Sequence, residues 1–174
     1  MRPHVINRFC AAGRSASRRR FLTALLAVSL VTIVAPDIAL AAPRVMSAPE
    51  AYKAAKSGEL ILVDIRTPEE WQETGIGDGA IALDMRAADF VQKLVEIRKT
   101  YPAKPIAMIC RTGNRSTYVT TTLDKQGFPD LVNVAEGMVG GPNGKGWIKQ
   151  NLPTYPGKKS EIEARLNEVL NPQK

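Results

Sequence analysis

The chain has 174 residues, 44% hydrophobic and 24% charged, which are ordinary values for a globular protein and enough for one well-filled core. Its net charge of +7 invites a nucleic-acid reading, but six arginines (Arg2, Arg8, Arg14, Arg18, Arg19, Arg20) and only Asp37 among the acids fall within residues 1–41. That leaves 18 basic and 16 acidic residues, a net of +2, for residues 42–174; without a basic stripe there, no nucleic-acid partner is expected.

Residues 1–41 read as an export address. A long basic start precedes an apolar run from Phe21 to Ala35, and Ala39-Leu40-Ala41 offers small residues in the spacing of a cleavage site. Ser17-Arg18-Arg19-Arg20-Phe21-Leu22 looks like a twin-arginine signal. The apolar run holds 15 residues, short of the roughly 20 that a spanning helix needs. A cleaved signal peptide, a periplasmic location and no permanent membrane anchor are therefore expected. Cleavage removes His4 and Cys10 and leaves a mature chain with no His and one thiol, Cys110. Ser-His-Asp and Cys-His catalysis as usually built, a His-based zinc site and an intramolecular disulfide are then excluded. A lone thiol in an oxidising compartment is a liability unless it is buried or used.

In the remainder, Ser47 can cap a helix through residues 49–56, ended by Gly58. Leu60-Ile61-Leu62-Val63-Asp64 is a short continuous apolar run, the pattern of a strand buried on both faces. Thr67-Pro68 starts a short helix, with proline at its first position. Gly75, Gly77 and Gly79 break the chain before a weak strand at residues 80–83. Residues 88–98 carry apolar side chains at helical spacing, and residues 106–109 form a second buried strand. A helix is expected over residues 116–126, although Thr120-Thr121-Thr122 is β-branched. Residues 131–134 read as a further strand, and the glycines from Gly137 to Gly146 as a long turn. Ser160 and Glu163 suggest a capping box for a terminal docking helix presenting Ile162, Leu166, Val169 and Leu170 on one face. The expected organisation is a signal peptide over 1–41, one domain over 42–157 and a docking helix over 158–174. Alternating strands and helices with near-continuous apolar strands argue for an α/β fold with a mainly parallel sheet covered on both faces. In such folds ligands sit at the carboxyl ends of strands, where Cys110 stands.

The informative segment is Cys110-Arg111-Thr112-Gly113-Asn114-Arg115-Ser116. Successive backbone N–H groups can form an anion-binding concavity, the following helix presents its positive end, and Arg111 and Arg115 add charge. All three favour a thiolate reachable from solvent. Gly113 permits a tight turn, and Asn114 tolerates left-handed dihedrals. The competing reading is a buried structural cysteine at a strand end, a common fate for this residue type.

With these residues in hand, the chain resembles the rhodanese family from about residue 45 to 157. Val63-Asp64-Ile65-Arg66-Thr67-Pro68-Glu69-Glu70-Trp71 looks like its N-terminal signature, and Cys110–Ser116 is similar to the active-site loop of single-domain members. The segment from Gly75 to Asp84 departs from the family pattern by having Ile76 where a His is usual. Residues 133–153 resemble the closing Gly-Gly/Trp region, with Gly140–Gly144 as an apparent insertion before Trp147. The resemblance implies a five-stranded, mainly parallel sheet and sulfur transfer through a Cys110 persulfide. It also implies small anionic sulfur donors, a thiol or cyanide acceptor, and no metal or organic cofactor. Arg111, Thr112, Gly113, Asn114, Arg115 and Ser116 would bind the substrate, with the two arginines on the donor's oxygens. Asp64 and Arg66 would brace the fold beside the loop, and Trp71 and Trp147 would be core. A periplasmic redox or sulfur-relay protein is a further candidate partner. Two other readings stand: a non-catalytic sulfur carrier or partner-binding module, and a phosphatase or arsenate reductase. The last would place five residues between Cys and Arg, where four separate Cys110 from Arg115.

Overall fold

Short apolar runs separated by amphipathic segments can bury both faces only by stacking side by side, and the computed structural model, which describes residues 43–172, has that arrangement. The expected signal peptide lies outside the described residues. Five strands form one sheet in the order β1-β6-β5-β2-β4: β1 (Arg44–Met46), β2 (Ile61–Asp64), β4 (Ala80–Ala82), β5 (Ile106–Ile109) and β6 (Leu131–Val134). Every pairing in it is parallel. The pleat explains why the strands read as unbroken apolar runs. Leu62, Ala107, Ile109, Val132 and Val134 enter one core, whereas Val63, Ile81, Ile106, Met108 and Leu131 enter the other.

Helices α1 (Ala48–Lys56), α2 (Pro68–Thr74) and α5 (Gly146–Lys149) contribute Ala48, Ala51, Trp71 and Trp147 to the first core. Helices α3 (Phe90–Thr100) and α4 (Asn114–Lys125) supply Phe90, Leu94, Ile97, Val119 and Leu123 to the second. Each such fully buried aliphatic side chain contributes about 1.5–3 kcal/mol. Both tryptophans are core residues, as expected. Two of the three expected N-caps are present as capping boxes, Ser47 with Glu50 and Thr67 with Glu70.

The terminal helix α6 (Lys159–Leu170) docks across the edge at β4: Ile162 packs on the first core, and Leu166, Val169 and Leu170 on the second. Its start corrects the capping box expected at Ser160 and Glu163. Lys158 is the N-cap, without a side-chain hydrogen bond. The chain already turns at Pro156, whose carbonyl accepts from Lys158 N–H at 2.8 Å. Ser160 therefore falls inside the first turn. Sequence patterning also missed the antiparallel pair β3 (Ile76–Gly77) and β7 (Thr154–Tyr155), as well as β1 and α5.

Candidate active site at the Cys110 loop

Cys110 follows β5 directly, at the carboxyl end of a strand flanked by β6 and β2. The loop folds back over the sulfur. Gly113 N–H donates to Sγ at 3.2 Å and Ser116 N–H at 3.4 Å, while Ser116 Oγ lies 3.5 Å away. Ser116 Oγ also reaches the Gly113 carbonyl at 3.0 Å. Its single proton can serve the sulfur or the carbonyl but not both, so the hydroxyl can donate to a thiolate or accept from a thiol. Among the described residues, the N–H groups of Arg111, Thr112, Asn114 and Arg115 have no hydrogen-bond partner. Unpaired N–H groups of this kind, at a loop and a helix start, are donors that a negative charge can use.

Two sequence expectations change here. Helix α4 begins at Asn114, two residues earlier than expected, so Asn114 is helical; Gly113, at φ 93°, makes the left-handed turn. The sulfur is also covered rather than open, with Cys110 only 1% exposed and packed in the second core. The cause is the same bend, which places two amides over Sγ.

The cup is held mainly by backbone. Met138 N–H donates to the Cys110 carbonyl at 2.8 Å and Val139 N–H to the Arg111 carbonyl at 2.9 Å. A Cβ on Gly113 would lie 1.9 Å from the Ala135 carbonyl oxygen, and one on Gly137 would lie 2.5 Å from that of Arg111. Only glycine fits this contact between the two loops. The apparent insertion Gly140–Gly144 closes on itself through a Gly141–Gly144 bridge and lies against Thr112. From below, Asn133 Nδ2 donates to Thr117 Oγ1 at 2.7 Å, which donates to the Gly113 carbonyl at 2.8 Å.

Asp64 and Arg66 form an ion pair inside the scaffold. Both are fully buried and paired at 2.7 Å, and Arg66 also donates to Thr74 Oγ1 and the Glu70 and Gly75 carbonyls. With its remaining donors engaged, this buried pair ties β2 to α2.

Sequence reasoning missed the acids of α2. Arg115 grips Glu70 with both arms, Nη1 to Oε2 at 2.7 Å and Nη2 to Oε1 at 2.6 Å. Arg111 Nη1 bonds Glu73 Oε2 at 3.0 Å. The Arg115 guanidinium is the main reason the Glu70 carboxyl is lowered from 4.5 to about 2; partial burial opposes this and the Thr67 N–H assists it. Arg115 is raised in turn, chiefly by its bond to Glu70. The Thr67-x-x-Glu70 spacing was a legible capping signal, but its partner 45 residues downstream was not.

Residues 47–141, more than half of the chain, match the rhodanese-like domain model. The chain belongs to the rhodanese-like family. This rhodanese-like chain is 39% identical over 83 residues to the putative sulfurtransferase YtwF of Bacillus subtilis, covering 47% of the chain and 72% of that protein. It is 32% identical over 89 residues to the thiosulfate sulfurtransferase GlpE of Pseudomonas syringae, covering 51% and 78%. Among solved structures it is similar to Rv0390 from M. tuberculosis, with a TM-score of 0.50 and 21% identity over 66% of this chain and 98% of that one. That likeness concerns the rhodanese-like fold alone.

Proposed function

We propose that this rhodanese-like chain is a sulfurtransferase that carries sulfane sulfur on Cys110. The observation that carries the reading is a sulfur at the carboxyl end of a central strand with two backbone N–H groups on it, at 3.2 and 3.4 Å. In the first step Cys110 thiolate attacks the outer sulfur of thiosulfate or of a persulfide. A new S–S bond forms, the donor's S–S bond breaks, and sulfite or a thiolate leaves with the electron pair. In the second step cyanide or a thiolate attacks the outer sulfur of the Cys110 persulfide. Thiocyanate or a new persulfide departs, and Cys110 returns as thiolate. Splitting the transfer through a covalent intermediate lowers each barrier. The free N–H groups of Arg111, Thr112, Asn114 and Arg115 supply fixed donors for the negative charge carried through both steps.

The test is a sulfur-transfer assay to cyanide, from thiosulfate and from a small-molecule persulfide, alongside intact mass. Cys110→Ser abolishes both turnover and the gain of one sulfur atom in mass. Equal turnover in wild type and variant rejects the enzyme. A stable adduct without turnover selects the sulfur-carrier reading. We further propose, from Ser17-Arg18-Arg19-Arg20-Phe21-Leu22 and the small residues at Ala39-Leu40-Ala41, that the mature protein is periplasmic, with a redox or sulfur-relay protein as a candidate partner. Replacing Arg18 and Arg19 by lysine then retains the precursor in the cell; normal export of that variant rejects the route.

A further inference from the structure

We infer that Glu70 is a specificity-determining residue: it occupies the Arg115 fork and turns the Cys110 site away from doubly charged, oxygen-rich donors such as thiosulfate toward singly charged persulfides. The inference rests on the sulfur-transfer reading and names the donor class of that site.

A sulfonate-like group binds an arginine best through two parallel N–H···O bonds. In Arg115 those two bonds already go to Glu70, at 2.7 and 2.6 Å. Glu70 is not free to swing aside. Its Oε2 also accepts the Thr67 N–H at 3.1 Å, and its own N–H donates to Thr67 Oγ1 at 3.4 Å. A donor that displaces Glu70 from the terminal nitrogens breaks the α2 capping box, and one that uses the remaining Arg115 N–H groups sits as a dianion beside a fixed carboxylate. The depressed Glu70 carboxyl, at about 2, keeps that competitor charged at neutral pH.

The neighbouring cations are engaged in the same way. Arg111 pairs with Glu73 at 3.0 Å and lies 3.9 Å from Glu70. Arg86 pairs with Asp84 at 2.8 Å and lies 3.8 Å from Glu69. Four carboxylates thus face three guanidiniums in this network, and the arginines anticipated as donor contacts are matched by acids. Beside these charge-matched guanidiniums, the row of loop N–H groups is unpaired among the described residues and bonds no acid. A few amide donors suit one charge concentrated on a terminal sulfur better than a trioxide bearing two.

The experiment compares wild type with Glu70→Gln, using thiosulfate and 2-hydroxyethyl persulfide as donors and reading Cys110 persulfide formation by rapid quench and intact mass. Glutamine at this position retains an acceptor for the cap while freeing much of the Arg115 fork. The ratio of thiosulfate to persulfide kcat/KM rises by about tenfold in the variant, and the thiosulfate rate becomes more salt-sensitive. Glu73→Gln, at a residue outside the capping box, moves the ratio in the same direction by a smaller factor and guards against a Glu70 variant that fails to fold. A purely structural role for Glu70 changes both donors alike. An unchanged ratio in both variants, with Cys110 still loading sulfur, overturns this inference alone. No loading from either donor in any form overturns the sulfur-transfer reading and this one with it.

Discussion

Two carboxylate–arginine pairs stand within reach of the same loop, and they do different jobs because water reaches only one of them. Asp64–Arg66 is fully buried at 2.7 Å, with the arginine's other donors spent on Thr74 and on backbone carbonyls. Glu70–Arg115 is as short, at 2.6 Å, but its side chains are 15% and 34% exposed. A buried ion whose partner is deleted cannot be rescued by solvent, whereas a half-exposed one can. The first pair is scaffold. The second joins α2 to the residue before Ser116, and its charge is expected to be alterable without unfolding the protein.

The sharpest way to break this contrast is Arg66→Ala, which strands Asp64 in the interior. It is expected to lower stability by about 3–5 kcal/mol in denaturant unfolding; a loss like that of a surface pair would place both pairs in one class. Next in size is Gly113→Ala, where a side chain at φ 93° meets the Ala135 carbonyl. Strain of at least about 1–3 kcal/mol is expected, together with loss of sulfur loading that Asn114→Ala does not reproduce. Glu70→Gln is smaller again, about 1 kcal/mol, and its pH signature identifies it. Because the folded carboxyl is lowered from 4.5 to about 2, its contribution is complete above 4.5 and is lost as pH falls from 4.5 through about 2. Acid unfolding profiles of wild type and Glu70→Gln therefore converge toward the low end of that window. Glu73→Gln, whose side chain is 58% exposed, is expected to change stability by no more than about 0.5 kcal/mol.

How much of this was readable from residue order follows from how local each cause is. Strands β2, β4, β5 and β6 and their parallel packing were legible, because residues such as Leu62 and Val63 must each find an apolar layer on opposite faces. Strand β1, the β3–β7 pair and α5 were not: each has two to four residues and exists only because distant partners hold it. Ser160 misled for a related reason, since a turn at Pro156 fixed the helix start before its hydroxyl could act as a cap. At the site, Cys110, Gly113 and Ser116 declared themselves through strand-loop-helix spacing. Glu70 and Glu73 did not, because a helix acid carries no mark of the guanidinium it will meet across the fold. The burial of Cys110 stood only as the competing reading, because it depends on where two amides end up rather than on which residues supply them.

The clamp between residues 137–139 and the Cys110 loop has a consequence for mutational surveys. Its contacts run from amide to carbonyl, so trimming side chains one at a time to alanine leaves most of the seat for sulfur untouched. Such a survey would score Thr112 and Asn114 as dispensable and miss the architecture altogether. Backbone ester substitution at Met138 or Val139, which deletes one N–H and nothing else, is the perturbation this part of the molecule would register.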